Sequence, residues 1–539
     1  MTVLKLGRLE NSLRTGAILA RAGVVRFDRP DKLVRIGMTM LRWGPTPASG
    51  YAISAMRTPQ RPAIHDERGT ITFAELAKQT NALAHGLREL GVGEGDAIAI
   101  LCRDHRGFIE SSVAASKLGA TLLLLNTSFA GRQIAEVCAS ENPRVLIYDE
   151  EFSGLCAEAA AGRTSLIAWQ DSPAPAHTTL EQLIAAGSTQ PLSPPRDRGR
   201  VVILTSGTTG APKGASRHQP RTLDPAAALF SRLPLRSRET TLIAAPLFHS
   251  WGYAHFTLAL ALSSTLVLQR RFDPEATLAA IAQRRPSALI VVPVMLTRIL
   301  DLGPEVIGRY DTSSLRIIAV SGSALPGDLA LHVMDTFGDV LYNLYGSTEV
   351  AWATIASPEQ LRAAPGTAGT PPHGTRVRLF DDGDTEISTP GQSGRIFVSN
   401  EMVMDGYTSG DGKTTIDGLI ATGDVGYLDT QGRLFVAGRD DDMIVSGGEN
   451  VFPREVEDLL ADHPAVDDVA VIGVPDPQFG ERLRAFIVCR EGASCSAEEV
   501  REYVRANLAR FKVPRDVVFV DVLPRNATGK VLKRELRTR

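Results

Sequence analysis

The sequence predicts an α/β protein. A large N-terminal domain of two doubly wound α/β subdomains plus a β-rich subdomain precedes a small, mobile α+β C-terminal domain. Three observations predict it. Short runs of Val, Ile, Leu and Ala alternate with helical stretches from about residue 61 to 320, the pattern of parallel strands joined by crossover helices. From about residue 367 to 438 short strands separated by Gly and Asp turns take over. Beyond the charged joint Gly438-Arg439-Asp440-Asp441-Asp442, about 100 residues carry a helix–strand pattern of their own, enough to fold alone.

The elements follow in order. Ile71-Thr72-Phe73-Ala74-Glu75-Leu76 reads as a strand turning into a capped helix. Strands are expected at residues 97–101, 120–125, 145–148 and 165–168, and, after the polar connector 193–198, at 201–204. A second α/β unit follows, with strands at 288–292 and 315–320. In the C-terminal part, helices are expected at 454–461 and 497–508, and strands at 469–474 and 485–489. The domain boundaries read as 1–50 for a basic extension, 51–439 for the main domain and 440–539 for the mobile one.

At 539 residues the chain is too long for one core. Its 43% hydrophobic and 22% charged residues are those of a globular protein, and a net charge of −3 gives no reason to expect nucleic-acid binding. Five scattered cysteines without a CxxC pair fit free thiols in a reducing, cytoplasmic compartment. Residues 241–269 contain no Asp, Glu, Lys or Arg, but Pro246, His249, Gly252 and His255 interrupt them. The clean apolar part is too short to span a bilayer, so the stretch reads as a buried strand, a loop and a buried helix.

The first fifty residues hold nine Lys or Arg against three Asp or Glu, a net of +6, leaving −9 for the rest. Apolar residues recur among them at roughly helical spacing. Two readings stand: a basic amphipathic helix lying on an anionic membrane surface, or an extra helical layer packed on the main domain. No continuous apolar core precedes a small-residue cleavage site, which argues against a signal peptide.

Two motifs carry chemistry. Thr205-Ser206-Gly207-Thr208-Thr209-Gly210-Ala211-Pro212-Lys213-Gly214 is a hydroxyl- and glycine-rich loop after a strand, suited to wrapping a polyphosphate. It fails the GxxxxGK[ST] pattern: counting from Gly207, the second Gly position is Pro212 and the Ser/Thr position is Gly214. More than 300 residues later, Pro524-Arg525-Asn526-Ala527-Thr528-Gly529-Lys530 offers one amine on a short turn. Together they suggest that one domain holds a nucleotide and a mobile domain brings a cation to it.

With Tyr345-Gly346-Ser347-Thr348-Glu349, Thr422-Gly423-Asp424 and Gly438-Arg439 between them, these motifs resemble the adenylate-forming superfamily of acyl-CoA synthetases, luciferases and peptide-synthetase adenylation domains. The resemblance covers roughly residues 57–539, with the motifs in the family's order and spacing. It implies that Thr205, Ser206, Gly207, Thr208, Thr209, Gly210 and Lys213 cradle the ATP phosphates. Glu349 would hold Mg²⁺ with help from Thr208, since a hard cation takes oxygen ligands. Tyr345, with the Gly346-Ser347-Thr348 run after it, would lie against adenine. Gly322-Ser323-Ala324 would let backbone approach the base, and Asp424 would accept from the ribose hydroxyls with Arg439 assisting. Lys530 would stabilise charge as a carboxylate attacks the α-phosphate. In the second half-reaction the C-terminal domain would swing about Asp441 and bring Ser446-Gly447-Gly448 to the site for a pantetheine arm. Lys530, Glu349, His249 and Thr205 would carry the catalysis; ATP, Mg²⁺ and CoA are the expected cofactors and co-substrates.

Pro246-Leu247-Phe248-His249-Ser250-Trp251-Gly252 resembles the acyl-CoA synthetase form of the substrate motif. Amino-acid-activating relatives usually place Asp where His249 stands. His249 either gates the acyl channel, orients the carboxylate, or is a satisfied core histidine. Trp251, Tyr253 and the apolar run beyond predict an apolar pocket. A fatty acid is the first expectation for the substrate and an aryl acid the second. A fatty acyl-AMP ligase that loads a carrier protein, and a non-catalytic nucleotide- or lipid-binding relative, are the alternatives. Nothing in the sequence speaks to oligomeric state.

Overall fold

The computed structural model describes residues 2–537 other than 27, 174, 176, 206–212, 219, 408–412, 440–443, 447–448, 477–479, 509–511 and 527–528. Among the described residues the strands form four sheets. The first has five parallel strands in the order Thr164–Trp169, Val145–Asp149, Ala97–Leu101, Thr121–Leu124, Val201–Thr205, continued by the antiparallel strands Lys213–Arg217 and Gly406–Tyr407. The second is an eight-stranded sheet centred on Thr240–Ile243, which pairs in parallel with Thr265–Leu268 and Ala288–Val291; Ile317–Val320 and Leu341–Tyr345 extend it in parallel. Helices pack on the faces, so these central strands are buried on both sides and read as continuous apolar runs.

The two units interleave instead of following one another. The antiparallel pair Pro62–Asp66 and Gly69–Thr72 joins the second sheet, beside Thr265–Leu268, although it opens the first α/β stretch in sequence. Adjacency in sequence favours adjacency in a sheet without fixing it. The capped helix expected after Ile71 is present as Phe73–Glu89, with Thr72 and Glu75 forming a reciprocal capping box. The uncharged stretch 241–269 is a strand, the helix Ser250–Leu262 and a second strand, Thr265–Leu268. Among the described residues no helix is long and apolar enough to cross a membrane.

A six-stranded antiparallel sheet forms the β-rich subdomain, with its longest strand at Leu419–Leu428. The smaller C-terminal domain has a five-stranded sheet covered by the helices Pro453–Ala461 and Ala497–Asn507, around a core that includes Val456, Leu460, Val471 and Val504.

The N-terminal extension forms three helices: α1 (Thr2–Ala22), α2 (Pro30–Trp43) and α3 (Pro47–Arg57). The expected boundary at residue 50 falls inside α3. α1 is tied to the main domain: Thr15 donates to Asp224 Oδ1 at 2.8 Å and lies 3.1 Å from His373 Nε2, while Leu19 and Ala22 are buried. α3 begins at Thr46 with a capping box to Ser49 and packs against Ser250–Leu262. Of the two readings of the extension, an added helical layer therefore describes α1 and α3. All five cysteines are free.

Candidate active site

The two strands that flank residues 206–212 come first. Val201–Thr205 and Lys213–Arg217 pair antiparallel, with Thr205 opposite Lys213. Ser206, Gly207, Thr208, Thr209 and Gly210 lie outside the described residues, as do Asp441, Gly447 and Gly448. Ser446 is described in its backbone, where it pairs with Glu449 across two antiparallel strands.

The motif after Leu341–Tyr345 turns sharply. A Cβ on Gly346 would lie 2.3 Å from the Ala351 carbonyl oxygen, so only glycine lets the two segments approach there. The turn presents Tyr345 and Glu349 to one large cavity of about 3060 Å³, which Gly322, Ser323, Ala324, Asp424, Arg439 and Lys530 also line. Residues spread from 322 to 530 thus converge as the motifs imply. Gly322 has φ +100, a conformation glycine adopts without strain.

Tyr345 donates its hydroxyl to Asp424 Oδ2 at 2.6 Å. Burial, together with the Asp424 charge and that hydrogen bond, pushes the phenol well above its ordinary range. Burial raises the Asp424 carboxyl too, although the Tyr345 hydrogen bond and the charges of Arg439 and Lys530 oppose it. Asp424 sits directly across from Arg439 in the antiparallel pair of Leu419–Leu428 and Leu434–Arg439.

Glu349 is half-buried. Burial pushes its carboxyl up, but hydrogen bonds from Tyr407 and Ser347 and the charge of Lys413 outweigh it and leave the group below its ordinary value. Tyr407 donates to Glu349 Oε1 at 2.7 Å. It belongs to the edge strand that pairs with Lys213–Arg217, so that strand and Glu349 share one support. Beneath them, Arg217 donates to the Thr348 carbonyl. Burial pushes its guanidinium down to about 10, against the pull of Glu349 and Asp405. Lys413 adds a further cation to the cavity wall.

Sequence reasoning missed Tyr407, Arg217 and Lys413. Tyr407 and Lys413 stand in a stretch of mixed polarity with no spacing signal. Arg217 sits on a strand whose only sign was the loop before it.

Lys530 follows Gly529, whose φ is +79. The turn closes on itself: the Asn526 side-chain oxygen accepts from the Lys530 N–H at 2.9 Å, and the Lys530 carbonyl accepts from the Asn526 N–H at 2.9 Å. Arg525 braces it, donating to the Gly529 carbonyl and pairing with Asp468 at 2.7 Å. The turn seats on the main domain, since a Cβ added at Gly529 would lie 2.6 Å from Val294 Cγ1.

His249 is the N-cap residue of Ser250–Leu262 and lines the same cavity. Among the described residues its Nε2 is buried without a hydrogen-bond partner. Burial pushes its pKa down to about 4, so the ring is neutral near pH 7. A satisfied core histidine would have its ring nitrogens paired, so the unpartnered Nε2 favours the two readings that point His249 at the acid. Trp251 and Tyr253 line the cavity beside it, and the Trp251 indole N–H donates to the Val291 carbonyl at 3.0 Å.

This geometry agrees with what comparison finds. Residues 52–408 match the AMP-binding enzyme family and residues 455–530 the AMP-binding enzyme C-terminal domain. The chain is 35% identical over 491 residues to a feruloyl-CoA synthase from Amycolatopsis sp., covering 90% of this chain and 97% of the relative. It is 32% identical to a 2-succinylbenzoate–CoA ligase from Geobacillus sp. strain WCH70, over 90% of this chain and 95% of that one. Among solved structures, the o-succinylbenzoate CoA synthetase from Bacillus subtilis, in complex with its acyl-adenylate intermediate, superposes with a TM-score of 0.80 at 29% identity. That match covers 90% of this chain and 97% of the other.

Proposed function

The chain belongs to the AMP-binding, adenylate-forming enzyme family, and from that premise we propose that it is an acid–thiol ligase specific for an apolar, aromatic carboxylic acid. In the first half-reaction a carboxylate oxygen attacks the α-phosphorus of ATP, the bond to the bridging oxygen breaks, and pyrophosphate leaves. In the second, the CoA thiolate sulfur attacks the acyl carbonyl and AMP leaves with the electron pair of the acyl–oxygen bond. The observation that carries this reading is the convergence of Tyr345, Asp424, Arg439, Glu349 and Lys530 on one cavity.

Each residue has a task that its surroundings suit. Asp424 and Arg439 face each other across a ladder and would bind the ribose hydroxyls; the Tyr345 ring would lie against adenine. Thr205 and Lys213 would hold the phosphates with the loop between them. The Lys530 ammonium would offset charge that builds on the non-bridging phosphate oxygens. The site fits Mg²⁺: Glu349, kept ionised by its hydrogen bonds, offers a hard oxygen ligand, with Thr208 as a second. Bound there, the ion would neutralise phosphate charge. His249, being neutral, would act on the acid's carboxylate as a hydrogen-bonding group and not as a counter-ion. The domain swing would pivot at Asp441 and bring Ser446, Gly447 and Gly448 to the thiol's path.

An aromatic acid takes precedence over the fatty acid that the sequence favoured. The relatives named above act on feruloyl and succinylbenzoyl groups, and Trp251 and Tyr253 supply rings for an aryl group to pack on. A panel of cinnamic, benzoic and straight-chain fatty acids, assayed for pyrophosphate and AMP release with and without CoA, tests the proposal. Aryl acids should give the highest kcat/KM, with AMP release dependent on CoA. A fatty-acid optimum would overturn the substrate class, and AMP release indifferent to CoA would overturn the acceptor.

A further inference from the structure

We infer that α2 is a lid over an outer acyl subsite, and that its inner face sets how far an acid's apolar end can reach. This rests on the ligase reading above and names a part of the same site. Small-molecule pockets commonly enclose about 300–1,000 Å³; this cavity is about 3060 Å³. Part of the excess is the cleft between the domains, and part runs outward along Ser250–Leu262. The wall of that outer limb includes Ala254 and Thr257 of this helix and Leu33, Ile36, Gly37 and Met40 of α2.

The four α2 residues stand at i, i+3, i+4 and i+7, which places them on one helical face. α2 nevertheless buries no residue; Val34, Met38 and Leu41 are 61%, 51% and 85% exposed. A fourteen-residue helix is marginal by itself in water and draws its stability from packing. Here the fixing points are at its ends. Before it, Asp28 pairs with Arg57 at 2.9 Å, both side chains largely buried. After it, Gly44 turns with φ +63 against the Arg198 guanidinium, and the Thr46–Ser49 capping box starts α3. α3 itself is clamped, because a Cβ at Gly50 would lie 2.8 Å from Leu260 Cβ. A helix tethered at both ends and unburied between them can lift and settle while its neighbours stay.

The occupant that fits is the distal apolar end of the acid. These α2 residues line the same cavity as His249 and Trp251, and the side chains that Leu33, Ile36 and Met40 contribute to it are apolar. The matched family segment begins at residue 52. α2 lies before that segment, so the proposed lid is additional to the part of the chain that the family match covers.

Gly37→Phe tests it. A Cβ at Gly37 meets nothing within 4 Å, so the substitution has room, and on this proposal the ring would narrow the limb. Met40→Ala does the opposite. With ω-phenylalkanoic acids of increasing length, Gly37→Phe should lower kcat/KM for the longest members at least tenfold, leaving the shortest members and KM for ATP unchanged. Met40→Ala should move the optimum to longer acids. Each methylene that reaches α2 is worth about fourfold in affinity. The same series is measured by calorimetric binding without ATP. Length profiles unchanged in both variants would overturn the lid. If the wild type formed no acyl-AMP from any acid, the ligase reading would fail, and the calorimetric profiles would still decide for or against the lid.

Discussion

Gly529 lies against Val294, so close that a single added methyl group would overlap Val294 Cγ1 at 2.6 Å. This contact joins the C-terminal turn to the first residues of the main-domain helix Pro293–Leu300 and delivers Lys530 to the cavity that holds Asp424 and Glu349. On the proposed function, this is the arrangement that adenylation would use. Gly529→Ala should unseat the turn twice over, through overlap with Val294 and through a φ of +79 that costs a residue with a side chain about 1–2 kcal/mol. Acyl-AMP formation should fall at least tenfold, while conversion of supplied acyl-AMP to thioester should stay within twofold. Pyrophosphate release and thioester formation, measured separately, check this.

Tyr407 helps hold the Glu349 carboxyl below its ordinary value. Because the carboxyl lies below its ordinary value, the charged form is kept at neutral pH and is lost as pH falls through the folded-state pKa. Removing the donor raises that pKa, so loss of activity begins at a higher pH. Tyr407→Phe should shift the acid limb of the adenylation profile upward and raise the Mg²⁺ concentration for half-maximal rate several-fold. Profiles that coincide with the wild type would assign Tyr407 to structure alone.

His249 should behave as a neutral group. With a pKa pushed down to about 4 by burial, it contributes no limb to the pH–rate profile between pH 5.5 and 8. His249→Ala should raise KM for the acid and leave KM for ATP unchanged. Steady-state kinetics in both substrates tests this, and a selective change in KM for ATP would contradict it.

The joint at Asp441 should separate the half-reactions in the other direction. Asp441→Pro fixes one φ at the expected pivot. Thioester formation from acyl-AMP should fall at least tenfold more than adenylation. Equal turnover in both halves would count against alternation of the domains.

Much of this was legible in the sequence because the elements that make the site are short and strongly patterned. Ala97–Leu101 was located to the residue, since a fully buried parallel strand is an unbroken apolar run. The convergence of residues 322, 345, 349, 424, 439 and 530 followed from the motifs that carry the resemblance. The pairing of Pro62–Asp66 with Thr265–Leu268 was not legible, because a crossover of about two hundred residues leaves no local mark. Tyr407 was invisible for a similar reason: its partner Glu349 sits on the turn after a strand of another sheet, and neither neighbourhood announces the contact. Apolar residues in the first fifty positions recur at roughly helical spacing, but which face of α2 meets the protein depends on how α3 docks on Ser250–Leu262, and no helical period encodes that.

The central claim is that Lys530 serves adenylation and then leaves. It is tested most directly by assaying Lys530→Ala in each half-reaction alone. Pyrophosphate release should fall by about 100-fold or more, the loss typical of removing one preorganised group that stabilises developing charge. Thioester formation from supplied acyl-AMP and CoA should remain within a few-fold of the wild type. Equal loss in the two halves would contradict the account.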